Sequence, residues 1–189
     1  WLYSGNCEGS ITAEGINTRT WTSGNYRYTE KKYYSVYRNG TLDFKAVPVD
    51  ASSKTDDDAM DSIEPFDYSE MTAFNPGYLS GYLAERYDEG KDKCLPRAKE
   101  RIENTTRDEL RNTCNYNSVN VQSYEKHTEI KDVKYAMLPT WLLYTTYQDK
   151  PYFFAMNGQT GKFIGNLPIS KGKLVAYSLL GGVGGYIIG

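Results

Sequence analysis

The stretch Tyr135–Leu167, YAMLPTWLLYTTYQDKPYFFAMNGQTGKFIGNL, constrains this chain more than any other. It is the densest apolar and aromatic run outside the extreme C-terminus, and its period predicts three consecutive antiparallel strands. Trp141, Leu143, Thr145 and Tyr147 share one face of the first, with Leu142, Tyr144 and Thr146 opposite. Bulk on both faces predicts a central strand covered on both sides. Gln148-Asp149-Lys150-Pro151 breaks it, and Tyr152–Met156 follows as the second strand. The glycines of Asn157–Gly161 take positive φ without a Cβ clash, which predicts a short hairpin loop with a bulge. Lys162–Leu167 returns as the third strand, and Pro168 stops it.

Composition bounds the rest. A chain of 189 residues carries one core, with room for two lobes. Its net charge of −2 supplies no general basic field, which argues against nucleic-acid binding by this region. Eighteen tyrosines, against six Phe and three Trp, fit a β-rich body with broad, partly wetted sheet faces. Cys7, Cys94 and Cys114 lie far apart and His127 is the lone histidine. Zinc needs about four clustered N or S ligands, so no metal ligand or cofactor site is assigned, and the unpaired cysteines suit a reducing compartment.

Along the chain, residues 1–49 read as a meander of four strands, with turns at Ser23-Gly24-Asn25 and at Asn39-Gly40, where both residues tolerate φ > 0. Thr55–Ile63 predicts a short helix with acids in its first turn, ended by Pro65, after which Phe66, Tyr68, Met71 and Phe74 would pin a loop to the sheet. The run Asp56-Asp57-Asp58 lacks the ligand spacing and central glycine of a calcium loop and reads as a solvated helix start. Gly77–Tyr87 is ambiguous and leans to extended structure. Asp92–Thr113 is the clearest helix, with Leu95, Ala98, Ile102, Thr106 and Leu110 on one face and Pro96 near its first turn. Its other face mixes arginines with acids, as a solvated surface does. Asn117–Glu129 reads as a strand with Val119, Val121 and His127 on one parity. No nucleophile or carboxylate motif accompanies His127, so no catalytic residue is assigned.

The C-terminal run Leu174–Gly189 has 16 residues and no charge, short of the ~20 that span a bilayer, and reads as the start of a transmembrane helix that the sequence cuts short. Lys171 and Lys173 just before it place the folded body on the cytoplasmic side. Gly181, Gly185 and Gly189 are spaced for close approach of two such helices, a route to a homodimer, although glycine is also ordinary in membrane helices. The expectation is an α+β fold: antiparallel sheets with one main and one short helix, then the membrane segment. Residues 1–169 form the soluble domain, with β-rich lobes 1–49 and 115–168 joined by a helical and loop segment, 50–114. Residues 170–189 begin the membrane helix. Trp1 opens in mid-strand without an initiator Met, as in a piece of a longer protein.

With Arg19-Thr20-Trp21, Val47-Pro48-Val49-Asp50, Ser52-Ser53-Lys54, the run Met60–Tyr68, Tyr78–Ala84, Pro96-Arg97-Ala98, Leu138–Trp141 and Phe154–Lys162 in view, the chain resembles a group of bacterial membrane-anchored proteins. These are labelled by an N-terminal zinc ribbon of the transcription-factor-IIB type. The resemblance implies ribbons before this region and a hydrophobic helix after it. Zinc is thus expected only in that preceding part, and no family catalytic residue carries over.

Three functional readings are open. The first is a non-enzymatic binding or scaffold module at the membrane, placing zinc ribbons near a protein partner. The second is a carboxylate-dependent enzyme using Lys54, Asp57, Asp61, Glu64 and Asp67, since paired carboxylates in a cleft do acid–base work. The third is nucleic-acid attachment through the ribbons, not through this region.

Overall fold

In this computed structural model, residues 1–81 and 86–165 are described, together with Ser178. The membrane segment, its three spaced glycines and the end of the third C-terminal strand therefore lie outside the described residues. So does 82–85, within the ambiguous Gly77–Tyr87. Among the described residues no helix is long and apolar enough to cross a membrane. The elements among the described residues are antiparallel strands with two α-helices and two short 3-10 turns, an α+β architecture. The chain divides into two compact units: residues 1–57 with 68–137, and residues 58–67 with 138–189. The division thus places residues 115–137 with the N-terminal strands, not in a C-terminal lobe.

In the first unit, β1 (Leu2–Ser23) and β2 (Tyr26–Pro48) form one long hairpin. Gly24, at φ +58°, turns it where the sequence places a turn. The predicted second turn does not exist: Asn39-Gly40 lies inside β2, opposite Ser10 and Gly9. The meander of four strands is therefore two. The reason lies in the helix α2 (Lys91–Asn112), which packs over this part of the sheet. A Cβ on Gly9 would stand 2.9 Å from the Thr106 methyl and 3.1 Å from Leu110, and Gly40 also sits beneath Leu110. Gly9 lowers the sheet surface so that a helix can seat on it, and Gly40 lies at ordinary contact distance from the same helix.

The helix face has strict four-residue spacing: Cys94, Ala98, Ile102, Thr106 and Leu110 are buried. Cys94 takes the place assigned to Leu95, which is half-buried. Pro96 falls at the sixth helical residue, beyond the first turn, so it forgoes a bond to the Asp92 carbonyl. Against this face lie alternate β1 residues, in two clusters: Ile11 and Ala13 with Val36, Leu110 and Val119, and Tyr3 with Val49, Cys94 and Ala98.

β3 (Ser118–Lys134) pairs with Leu2–Ile16 of β1, giving the order β2-β1-β3. Its register shifts between Val121 and Ser123 and again between Ile130 and Asp132. Each extra residue reverses the facing of the strand residues beyond it. His127 therefore leaves the parity of Val119 and Val121 and is exposed, while Tyr124, Thr128 and Ile130 turn inward.

Two tyrosines close this core. The Tyr3 hydroxyl donates to the Lys91 carbonyl at 2.6 Å and Tyr124 to the Glu103 carbonyl at 2.8 Å. Burial pushes Tyr3 up to about 12 and raises Tyr124 as well. The stability Tyr3 contributes is thus complete below the ordinary tyrosine value of about 10 and is lost as pH rises toward 12. Urea midpoints measured from pH 9 to 12 should fall more steeply for the native chain than for Tyr3→Phe; parallel curves would refute the burial argument.

In the second unit, the helix α1 (Asp57–Ser62) continues into a segment ending at Asp67, with Ile63 and Phe66 buried. Met71 and Phe74, which belong to the first unit and are expected to pin a loop, are exposed. β4 (Thr140–Tyr147), β5 (Lys150–Asn157) and β6 (Phe163–Gly165) form the three predicted antiparallel strands. The order β4-β5-β6, however, makes β4 an edge strand with both faces exposed, not a covered centre. Bulk on both faces could not distinguish the two. Gln148 and Asp149, both at positive φ, make a two-residue turn. Pro151 lies at the start of β5, opposite Thr146 of β4 and next to the turn.

Candidate functional site

The boundary between the two units falls after Asp57, so Lys54 and Asp57 belong to one body and Asp61, Glu64 and Asp67 to the other. Asp57 is ion-paired to Arg97 of α2. Among the described residues no group of three His, Cys, Asp or Glu side chains could hold a metal ion.

The residues before the acidic stretch build a hydrogen-bonded loop. Asp50 accepts from the Ala51 amide at 2.8 Å and from the Thr55 hydroxyl. Asp88 accepts from the Ser53 amide at 2.8 Å and its hydroxyl at 2.6 Å, which draws the Asp88 carboxyl below its usual range. The Ala51 carbonyl receives the amides of Asp88 and Glu89. Val-Asp-Ala-Ser-Ser thereby staples the exit of β2 to the start of α2. Cys94, beneath this loop, has its thiol raised by burial and then by Glu89, so it stays protonated and unreactive.

A second polar centre lies where the sequence suggests only a turn. Asn157 is fully buried. Its Nδ2 donates to the carbonyls of Ile63 at 3.0 Å and Pro65 at 2.9 Å, while its Oδ1 accepts from the amides of Gln159 at 2.8 Å and Thr160 at 3.1 Å. Gln159 exchanges two bonds with the Asp67 backbone, and Lys162 Nζ donates to the Glu64 carbonyl at 2.6 Å. The stretches Met60–Tyr68 and Phe154–Lys162 are thus the two halves of one contact. The available signal was the Asn at the head of a Gly-containing turn, where its side chain caps local amides. Nothing local foretold that its other end would hold Ile63 and Pro65.

An open groove of about 600 Å³ runs beside the end of α2 and β3. Its arginines are engaged: Arg111 Nε donates to the Val119 carbonyl at 3.3 Å and Arg107 pairs with Asp108 at 3.1 Å. Trp1, Tyr87 and Tyr135 form a triangle of rings whose centroids lie 4.8 to 5.3 Å apart. Rings so close pack against one another and leave no space for a cation among them.

The exposed chemistry lies on the hairpin. β3 pairs with β1 only as far as Ile16, so beyond that point β1 and β2 run on as a two-stranded ribbon. Trp21 stacks on its cross-strand partner Tyr28 at 5.6 Å, with the Arg19 guanidinium 5.7 Å above the indole. Both rings are nearly half exposed, and Tyr26 at the turn is 71% exposed. The ribbon, Asn17–Lys32, holds Arg19, Arg27, Lys31 and Lys32 against Glu30 alone, a net +3 in a chain of net −2. The sequence marks these residues as strand, but the whole-chain charge balance hides their segregation.

The chain is similar to the uncharacterised protein YdjG of Bacillus subtilis (strain 168), with 38% identity over 178 residues. That alignment covers 94% of this chain and 52% of YdjG, so the chain spans about half the length of this curated relative. No protein-family profile matches the chain, and no solved structure does.

Proposed function

We propose that this chain is a non-enzymatic binding module of a longer, membrane-anchored protein, and that the outer β1–β2 ribbon is its docking arm for an acidic protein surface. The ribbon's exposed Trp21–Tyr28 stack, beside its concentrated positive charge, carries the reading. Stacked aromatics bury large area at small entropic cost, and arginine adds ion pairing; both are typical of residues that dominate protein interfaces. The uncharged run Leu174–Gly189 after Lys171 and Lys173 supports attachment at the cytoplasmic face of a membrane. In this reading zinc ribbons precede the module and are brought near its partner, and Gly181, Gly185 and Gly189 offer a contact between membrane helices.

The test places a photoreactive side chain at Tyr26 of the full-length protein in its own membranes. A discrete protein adduct is expected, reduced roughly tenfold or more by Trp21→Ala with Tyr28→Ala, and weakened by high salt. Adducts matching those from the exposed outer face of α2, or unchanged by the double substitution, would overturn the reading.

A further inference from the structure

Among the described residues no strand lies beyond β4 in its sheet. The outer strands of the other sheet, β2 and β3, are guarded. β2 carries Lys31, Lys32 and Lys45, with a positive-φ irregularity at Ala46. β3 is crowded with lysines and acids and twice loses register against β1. These are the devices by which sheets avoid pairing with foreign strands. β4, TWLLYTTY, has none of them: no charge, no proline and an unbroken register against β5. Trp141, Leu143 and Tyr144 are 64%, 58% and 62% exposed.

We propose that β4 is a self-association strand, through which two copies of this chain join antiparallel about a two-fold axis at Leu143 to make one six-stranded sheet. The sequence of β4 selects its own copy as the occupant. Opposed residues in an antiparallel pair share a face, so a two-fold normal to the sheet must pass through a residue position. Centred on Leu143, it opposes Leu143 to itself, Leu142 to Tyr144, Trp141 to Thr145 and Thr140 to Thr146. Each is an apolar, aromatic–β-branched or Thr–Thr pair of the kind that stabilises sheets. No charge falls within the overlap, so a copy meets no like charge, and an acidic or basic partner strand would gain no ion pair there. Within the chain, Phe153 already packs on Tyr144 at 4.8 Å; a second β4 would give the open side the same kind of neighbour.

The test uses the full chain with single substitutions Trp141→Cys, Leu143→Cys and Thr145→Cys, oxidised in membranes; the native cysteines are buried. Opposed Cα atoms in such a pair stand about 4.5–5.5 Å apart, within disulfide reach, whereas residue 141 and its own copy would be separated by about 13 Å. Leu143→Cys alone should form the disulfide dimer, several-fold above the other two, and a mixture of Trp141→Cys and Thr145→Cys chains should form the mixed dimer. Leu143→Lys should leave the fold intact and raise the dimer dissociation constant roughly tenfold, and mixing it with Leu143→Asp chains should restore pairing. A monomeric chain would overturn the proposal. So would equal crosslinking at all three positions, disulfides only to another protein, or dimers indifferent to Leu143→Lys, which would place association elsewhere, as in the glycine-spaced tail.

Discussion

Asn157→Ala is expected to destabilise the smaller unit by about 3–5 kcal/mol, the range for breaking a fully buried hydrogen-bond network. The substitution removes two donors and one doubly used acceptor at once. The Ile63 and Pro65 carbonyls and the Gln159 and Thr160 amides would lose this partner where the amide now excludes water. Asn157→Asp should be nearly as damaging, since its carboxylate keeps the acceptor role but faces two carbonyls it cannot donate to. Gln159→Ala, at an exposed position, should cost under about 1 kcal/mol. Chemical denaturation of the three variants, followed by the fluorescence of Trp141 in a Trp1→Phe, Trp21→Phe background, checks this order. Equal small losses would mean that the two segments do not depend on the amide.

Alanine at Gly5, Gly9 and Gly40 should give a graded series that reports the seat of the helix. A Cβ on Gly5 would lie 2.0 Å from the Glu129 carbonyl oxygen, which is backbone and cannot rotate away. The strand pair must separate there, so a loss of about 3 kcal/mol or more is expected. At Gly9 the obstacles are the side chains of Thr106, Leu110 and Tyr124, which yield by tenths of an ångström, and about 1–3 kcal/mol is expected. At Gly40 the nearest atom is Leu110 Cδ2 at 3.4 Å, an ordinary contact, and φ is not positive. Gly40→Ala should therefore be neutral or slightly stabilising, because alanine narrows the unfolded ensemble. A hairpin turn at Asn39-Gly40 would instead make it costly. Thermal melts of the three variants decide between a strand and a turn at that site.

The same glycines show how far the sequence reaches. A glycine that supplies positive φ and one that makes room for a neighbour look identical in a string of letters. Gly24 and Gly161 are the first kind and were legible, since each sits among polar turn residues. Gly9 is the second kind, and only the crossing of α2 distinguishes it. Likewise, counting from Val119 puts His127 on the wrong face, because counting fails at a bulge whose position depends on the partner strand.

Local chemistry alone determined the α2 stripe of residues spaced by four, the short acidic helix, the C-terminal hairpins and the β-rich, tyrosine-covered character of the chain. Each is a period or a turn preference contained in a few neighbouring residues. Tertiary structure decided what depends on a distant partner. It paired β1 with both β2 and β3, put β4 at an edge, split the acidic stretch between two bodies and turned Asn157 into the clamp on residues 63–65. Those outcomes arise from contacts between residues far apart in the chain, such as Leu2 with Lys134 and Asn157 with Ile63. Hydrogen bonds and packing there are satisfied by geometry that no short window of sequence encodes.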